Sequence, residues 1–309
     1  MTPSPSIDRL FLVDRLVPGE IHRPRGLLTV PGGKGLNVAR AVRALNADVR
    51  VAGIAAGHAG RWLAEELAAE GVPAEFVWTA GESRTSTSVA ASGGAGELTE
   101  FYEDPQPIAP DDWAALRALA GARLAEARWL TLSGSVPPGV GVDGYATLAA
   151  DARAAGVRVA VDARDEWLVA SLAAAPDLVK INVAEAQDVL DLTGTAPGPE
   201  RALAAARELQ ARGARAAVVT CGTEGLAAID SAGEAWAGGV DAVGPYPVGS
   251  GDACLAGLVA SLDRGEPWEA ALRLAIGAGA ANAEQPGAGR LEPVRARALA
   301  AAARLRRVT

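Results

Sequence analysis

The sequence is poor in the residues on which several common catalytic strategies depend. Among 309 residues there are two cysteines, Cys221 and Cys254, and two histidines, His22 and His58. The cysteines show no metal-ligand spacing and cannot build a disulfide framework. Both sit in apolar surroundings, where buried, inert thiols are the ordinary outcome, and a reducing cytoplasmic setting fits. Two histidines leave little room for a His-based zinc site or a Ser-His-Asp triad. The net charge is −8, with acids and bases interspersed, so a basic face for nucleic acid or an anionic membrane is not expected. No stretch supplies the roughly 18 uninterrupted apolar residues of a membrane span. The first six residues, Met1-Thr2-Pro3-Ser4-Pro5-Ser6, lack the basic-then-apolar pattern of a secretory signal. Two phosphate-binding loops are missing as well. Gly33-Lys34 is followed by Gly35 rather than Ser or Thr, and no G-x-G-x-x-G follows a strand. P-loop and Rossmann readings therefore lose support, and any nucleotide site must be of another kind.

What is present is a large apolar content, half of all residues, and a regular alternation of strand and helix patterns. Ile7–Val13 and Gly26–Val30 read as strands, followed by a Gly-rich loop and a helix over Leu36–Leu45. Val49–Ala55 reads as a strand and Arg61–Glu70 as an amphipathic helix closed by Gly71. Arg84–Tyr102 carries polar alternation around Ser92–Gly96, the signature of a hairpin with one buried face. From Pro110 onward, strands at Trp129–Leu132, Val157–Val161, Leu178–Ile181 and Ala216–Thr220 alternate with helices. A hairpin follows over Gly225–Ala237, and helices are expected over Asp252–Arg264, Pro267–Glu284 and Val294–Arg306. Uncharged apolar strands separated by helices predict a mainly parallel sheet covered on both faces. Ligands in such folds bind beyond the strand C-terminal ends. The expectation is one α/β domain over residues 1–309, with a small β-sheet lid drawn from about 7–30 and 84–104.

The stretch Pro247–Gly257 stands out. Gly249, Ser250 and Gly251 precede a lone acid, Asp252, at the start of a helix that is apolar on nearly every side. Free N–H groups at a helix N-terminus hold anions, and glycines let a phosphate approach. A carboxylate there is either a helix cap or a proton acceptor beside an anion hole. Upstream, Gly32-Gly33-Lys34-Gly35-Leu36-Asn37 joins backbone freedom to a cation and an amide. It suits a polyol as well as it suits an ordinary turn. Asn182 and Glu185 lie on one helix face, fitting a capping box or water-mediated contact with Mg²⁺. Thr220–Gly225 is either a hairpin connection or a loop for nucleotide phosphates.

Taken together, these motifs resemble the ribokinase-like (PfkB) carbohydrate kinases along nearly the whole chain. Gly32–Asn37 resembles that family's first signature and Gly249–Asp252 its second, while Asn182 and Glu185 match its Asn-x-x-Glu motif. Thr2–Asp8, Ser133–Gly139 and Arg84 resemble the phosphosugar branch. Tyr246, Ile181 and Ser4 depart from the family pattern and leave the sugar open. The resemblance implies a ribokinase-like three-layer α/β/α fold using ATP and Mg²⁺. The expected reaction is phosphorylation of a phosphorylated ketohexose, in the manner of fructose 1-phosphate going to fructose 1,6-bisphosphate. Tagatose 6-phosphate, fructose 6-phosphate, a free sugar or a nucleoside are the alternative acceptors, and a non-catalytic sensor is the alternative class. The resemblance makes Asp252 the base, with the N–H groups of Gly249, Ser250, Gly251 and Asp252 around the transferring phosphoryl. Asp8, Gly32, Gly33, Lys34, Asn37 and Arg84 would hold the substrate, Lys34 and Arg84 meeting its phosphate and Arg23 a weaker candidate. Lys180, Asn182, Thr220, Gly222, Gly225 and Asn282 would serve the nucleotide, with Glu185 and Asn182 near the metal. A homodimer through the lid is the expected assembly.

Overall fold

The computed structural model describes residues 1–91, 98–190, 198–242 and 244–308. In chain order the first elements are β1 (Ser6–Val13), β2 (Gly26–Gly32), α1 (Lys34–Ala44), β3 (Val51–Ala56), α2 (Gly57–Ala69) and β4 (Ala74–Thr79). β5 (Arg84–Ala91), β6 (Leu98–Tyr102), α3 (Pro110–Gly121), β7 (Trp129–Ser133), α4 (Gly144–Ala154) and β8 (Arg158–Asp162) follow. Then come α5 (Asp165–Leu172), β9 (Leu178–Asn182), α6 (Val183–Val189), α7 (Gly198–Ala211), β10 (Ala217–Thr220), β11 (Leu226–Ile229) and β12 (Ala235–Gly239). α8 (Ser250–Asp263), α9 (Trp268–Ala283), α10 (Pro293–Ala302) and β13 (Arg304–Val308) complete the chain.

The central sheet has the order β13-β12-β11-β10-β9-β8-β7. β7 to β10 run parallel, and β11, β12 and β13 are antiparallel to their neighbours. Residues Met1 and Thr2 extend it. The Met1 amine donates to the Thr131 carbonyl at 2.7 Å, while Thr2 donates to Ala52 at 2.9 Å and bridges Gly53. The parallel β3–β4 pair is thereby stitched to the β7 edge.

Strand residues alternate between two cores, as a sheet covered on both faces requires. Val159, Val161, Val179, Ile181 and Val219 pack under α3 to α7. Ala160, Leu178, Val218 and Ala228 pack against α1, α8, α9 and α10. The layering is α/β/α. A separate four-stranded sheet, β2-β1-β5-β6, stands beside it. Its glycine-rich turn, expected at Ser92–Gly96, falls outside the described residues.

The sequence pattern misreads the C-terminus. Helix was expected to Arg306, yet α10 stops at Ala302 and β13 follows. Arg304-Leu305-Arg306-Arg307-Val308 carries three arginines among its five residues, and a charged strand suits a sheet edge. Leu305 packs on the core and Arg307 lies over the Trp236 ring, 5.0 Å from its centroid. β4, absent from the sequence reading, pairs with β3.

Helices α8, α9 and α10 cross at glycines. A Cβ on Gly277 would lie 2.2 Å from the Ala296 carbonyl and 2.6 Å from the Ala300 amide. Gly277→Ala is therefore expected to lower stability by about 1–3 kcal/mol through overpacking against backbone, outweighing a helix-propensity gain of about 1 kcal/mol. Gly121→Ala, on α3 with open space around it, should be neutral or mildly stabilising. Denaturant midpoints of the two variants against the parent check the contrast.

Candidate active site

The four parallel strands end in a polar row: Ser133, Asp162, Asn182 and Thr220. Their registers align Ser133 with Asp162 and Asn182 with Thr220. Asn182 and Thr220 of this row line a cavity of about 690 Å³ between the central sheet and the small four-stranded sheet. This is the strand C-terminal edge at which such folds bind ligands.

Two helices aim their N-termini into it. The N-cap of α1 is Gly33, with φ 88° and ψ 141°, and that of α8 is Gly249, with φ 81°. Positive φ favours glycine at both, and at Gly249 a Cβ would also strike Ala288. Asn37, in the first turn of α1, donates to Asp252 Oδ2 at 2.8 Å across the gap. The other amide atom, Asn37 Oδ1, is buried without a hydrogen-bond partner among the described residues. Asn37 and Asp252 both line the cavity.

At the start of α8 the Ser250 N–H is taken by the Pro247 carbonyl at 3.1 Å. That departs from the expected four-donor hole: among the described residues, Gly249, Gly251 and Asp252 keep N–H groups with no protein acceptor. Lys180 reinforces the positive end, since a Cβ on Gly251 would lie 2.8 Å from its Nζ.

The electrostatic centre is Asp162, a residue that belongs to none of the sequence motifs. It is 0% exposed and takes Lys34 Nζ on one oxygen at 2.8 Å and Lys180 Nζ on the other at 2.7 Å. Burial raises its pKa, but the two ammonium groups outweigh that and hold it below the carboxylate range. Lys34 also meets Glu185 Oε1 at 2.6 Å. Burial works against both lysines, and the carboxylates around them keep them protonated. The one clue in the sequence was an acid closing the apolar run Val159-Ala160-Val161.

Asp252 is 6% exposed. Burial, then repulsion from Asp162, lifts its pKa to about 7 despite Lys180, Lys34 and the Asn37 hydrogen bond. It is thus poised near neutrality rather than fully ionised from a reference pKa of about 4.

Other expected residues are distributed as follows. Asp8 lies half-buried over Gly32, where a Cβ would sit 1.9 Å from the carboxyl carbon. It accepts from Ser6 Oγ at 2.6 Å, and burial raises its pKa. Gly32 lies beneath Asp8 and does not itself line the cavity. Arg84 lines it from β5, steadied by Ser4 Oγ at 3.0 Å and Ser86 Oγ at 3.2 Å. Among the described residues no carboxylate lies within ion-pair distance of Arg84, and burial lowers its pKa. Asn182 and Glu185 close a reciprocal capping box, each bond 2.9 Å. Thr220, Gly222 and Gly225 line the opposite end, beside an apolar slot of Val240, Ala242, Ile276, Gly279 and Ala280. That slot was not anticipated; its signal was the run of small residues in α9.

Two expectations are corrected. Asn282 does not reach the cavity: it is fully buried, donating to the Val248 carbonyl at 2.8 Å and accepting from Gly289 N–H at 2.9 Å. It fixes the loop before α8. Arg23 is exposed, in the connection between β1 and β2, and does not line the cavity.

The sequence pattern of the pfkB family carbohydrate kinases matches residues 4–295. A 1-phosphofructokinase from Xanthomonas campestris is 34% identical over 310 positions, covering 98% of this chain and 96% of the relative. One from Haloferax volcanii is 32% identical, over 89% of this chain and 87% of the relative. Phosphofructokinase-2 from Escherichia coli, solved in complex with substrates and products, superposes with a TM-score of 0.86 at 27% identity, covering 97% of each chain. The chain belongs to the pfkB family of carbohydrate kinases.

Proposed function

We propose that this kinase transfers the γ-phosphoryl group of ATP to a hydroxyl of a phosphorylated ketohexose, converting fructose 1-phosphate to fructose 1,6-bisphosphate. One observation carries the reading. A buried carboxylate poised near neutrality, Asp252, stands beside free helix N–H groups in the same cavity as Arg84, a half-buried cation with no carboxylate within ion-pair distance among the described residues. The curated relatives named 1-phosphofructokinase support the choice of acceptor.

Asp8 and Asn37 orient the sugar by accepting from its hydroxyls, and Arg84 holds its phosphate. The attacking O–H loses its proton to Asp252 as the new P–O bond forms and the bond to the ADP leaving oxygen breaks. The Gly251 and Asp252 N–H groups, backed by Lys180, stabilise charge on the transferring oxygens. Thr220, Gly222 and Gly225 hold the nucleotide phosphates, and the apolar slot takes the base. Magnesium, bound with ATP, neutralises phosphate charge. Glu185 and Asn182 would hold it through water, because both Glu185 oxygens already accept protein bonds and no cluster of three ligating side chains exists among the described residues. The small sheet acts as a lid that excludes water, the competing acceptor. Two free thiols accord with a cytoplasmic setting.

Its outer face leaves Leu27 56% and Phe101 59% exposed. We assign that face to a second copy of the chain. Light scattering should give a dimer, and Leu27→Lys with Phe101→Glu a monomer; a monomeric parent overturns the assignment.

Asp252→Asn should lower kcat by about 10²- to 10⁴-fold while calorimetric ATP affinity stays near the parent's. Because the base must be ionised and its pKa is raised, kcat/KM should be flat above pH about 7 and fall as pH drops through it. A profile flat down to pH 5 contradicts the base assignment. Arg84→Ala should raise KM for fructose 1-phosphate roughly 10- to 100-fold with kcat less affected. In a panel of fructose 1-phosphate, fructose 6-phosphate, tagatose 6-phosphate and free sugars, fastest turnover of a free sugar would overturn the phosphosugar reading.

A further inference from the structure

Arg164 belongs to none of the motifs, yet it lines the catalytic cavity. It sits in the loop after β8, two residues beyond Asp162, so it comes from the body of the molecule while Arg84 comes from the lid. Its side chain is 61% exposed, and its one ion pair among the described residues is to the adjacent Asp165, Nε to Oδ2 at 3.2 Å. Asp165 adopts φ 55°, the left-handed region that non-glycine residues seldom enter. An exposed pair between sequence neighbours gains little, less than a left-handed backbone costs a residue with a Cβ. The pair therefore does not account for the strain. The turn leaves the Arg164 guanidinium at the cavity wall. The two arginines also sense each other: after burial, repulsion from Arg164 contributes to the lowered pKa of Arg84. Two cations that repel on opposite walls of one cavity form a site for an anion.

We propose that Arg164 is a second binding arm for the phosphate already carried by the acceptor sugar, closing on it from the body as Arg84 closes from the lid. This rests on the phosphosugar reading above. Two planar guanidinium forks match the oxygens of a phosphate, and the pair favours a phosphorylated acceptor over a free sugar. Asp8 and Glu103 offset part of the charge on Arg84, but among the described residues neither lies within ion-pair distance of it. Glu103 accepts from the Thr85 N–H at 2.8 Å, and Asp104 pairs with neither arginine among the described residues.

The test compares the parent with Arg164→Gln, Arg164→Lys and Arg84→Ala. For Arg164→Gln, KM for fructose 1-phosphate should rise roughly 10- to 100-fold, with KM for ATP unchanged. Inhibition by inorganic phosphate, competitive with the sugar phosphate, should weaken by a similar factor. Arg164→Lys should recover part of both effects, which a structural role would not require. An Arg164→Gln enzyme that folds with unchanged KM and phosphate inhibition, beside an Arg84→Ala enzyme with raised KM, overturns this inference alone. A parent that turns over no sugar phosphate overturns the functional reading, and the inference with it.

Discussion

Everything at the catalytic end of this molecule depends on burying an uneven number of charges together. Lys34 and Lys180 supply two positive charges, while Asp162, Glu185 and Asp252 supply three negative ones when all are ionised. Each charge alone would be prohibitive to bury, and they are tolerable only as a hydrogen-bonded set. The set is one proton short of neutrality. Asp162 is locked by both lysines and Glu185 by Lys34 and the Asn182 N–H, so the imbalance falls on Asp252. Its raised pKa follows from burial and from its neighbours, without any special feature of its own.

That arrangement holds only if four chain segments remote in sequence meet within a few ångströms. The sheet supplies Asp162, Lys180 and Asn182 on neighbouring strands β8 and β9, and α1 supplies Lys34 and Asn37 from the other end of the chain. α8 brings Asp252. Both helix starts turn at glycine caps, Gly33 against the Ser4–Ser6 backbone and Gly249 against Ala288. A buried guanidinium, Arg40, then binds the segments: it clamps Glu70 and donates to the carbonyls of Pro31 and Ala288. Asn282 ties the Ala288–Gly289 loop to Val248. Preorganisation of the base thus comes from residues that never touch a ligand.

The legible part of the site was the part whose chemistry forces a local spelling. Glycine at a positive-φ helix start leaves a mark, so Gly33 and Gly249 could be read, and with them Asn37 and Asp252. Strand and helix periodicity gave the layers for the same reason: each residue reports its own environment. Asp162, Arg164 and the apolar slot on α9 were not legible, because they matter through partners brought by other strands and helices. One acid at a strand end looks like any other until two lysines arrive from residues 34 and 180. The misread C-terminus has the same origin. Arg304–Val308 has enough charge to pass for a helix continuation, and only the exposed edge of β12 makes it a strand.

Two buried carboxylates lie at this site, and their surroundings assign them different tasks. Asp162 has no oxygen free, is held ionised by two ammonium groups and does not line the cavity. A proton offered to it would have to displace a lysine, so it cannot turn over as a base; its work is to keep Lys34 and Lys180 charged and in place. Asp252 accepts one hydrogen bond, from a neutral amide, and faces the cavity. It can gain and lose a proton without dismantling anything. Divergent environments for paired acids are a general route to dividing catalytic roles. Here the division follows from which helix or strand each acid terminates: a strand end packed between lysines, or a helix start open to the cleft.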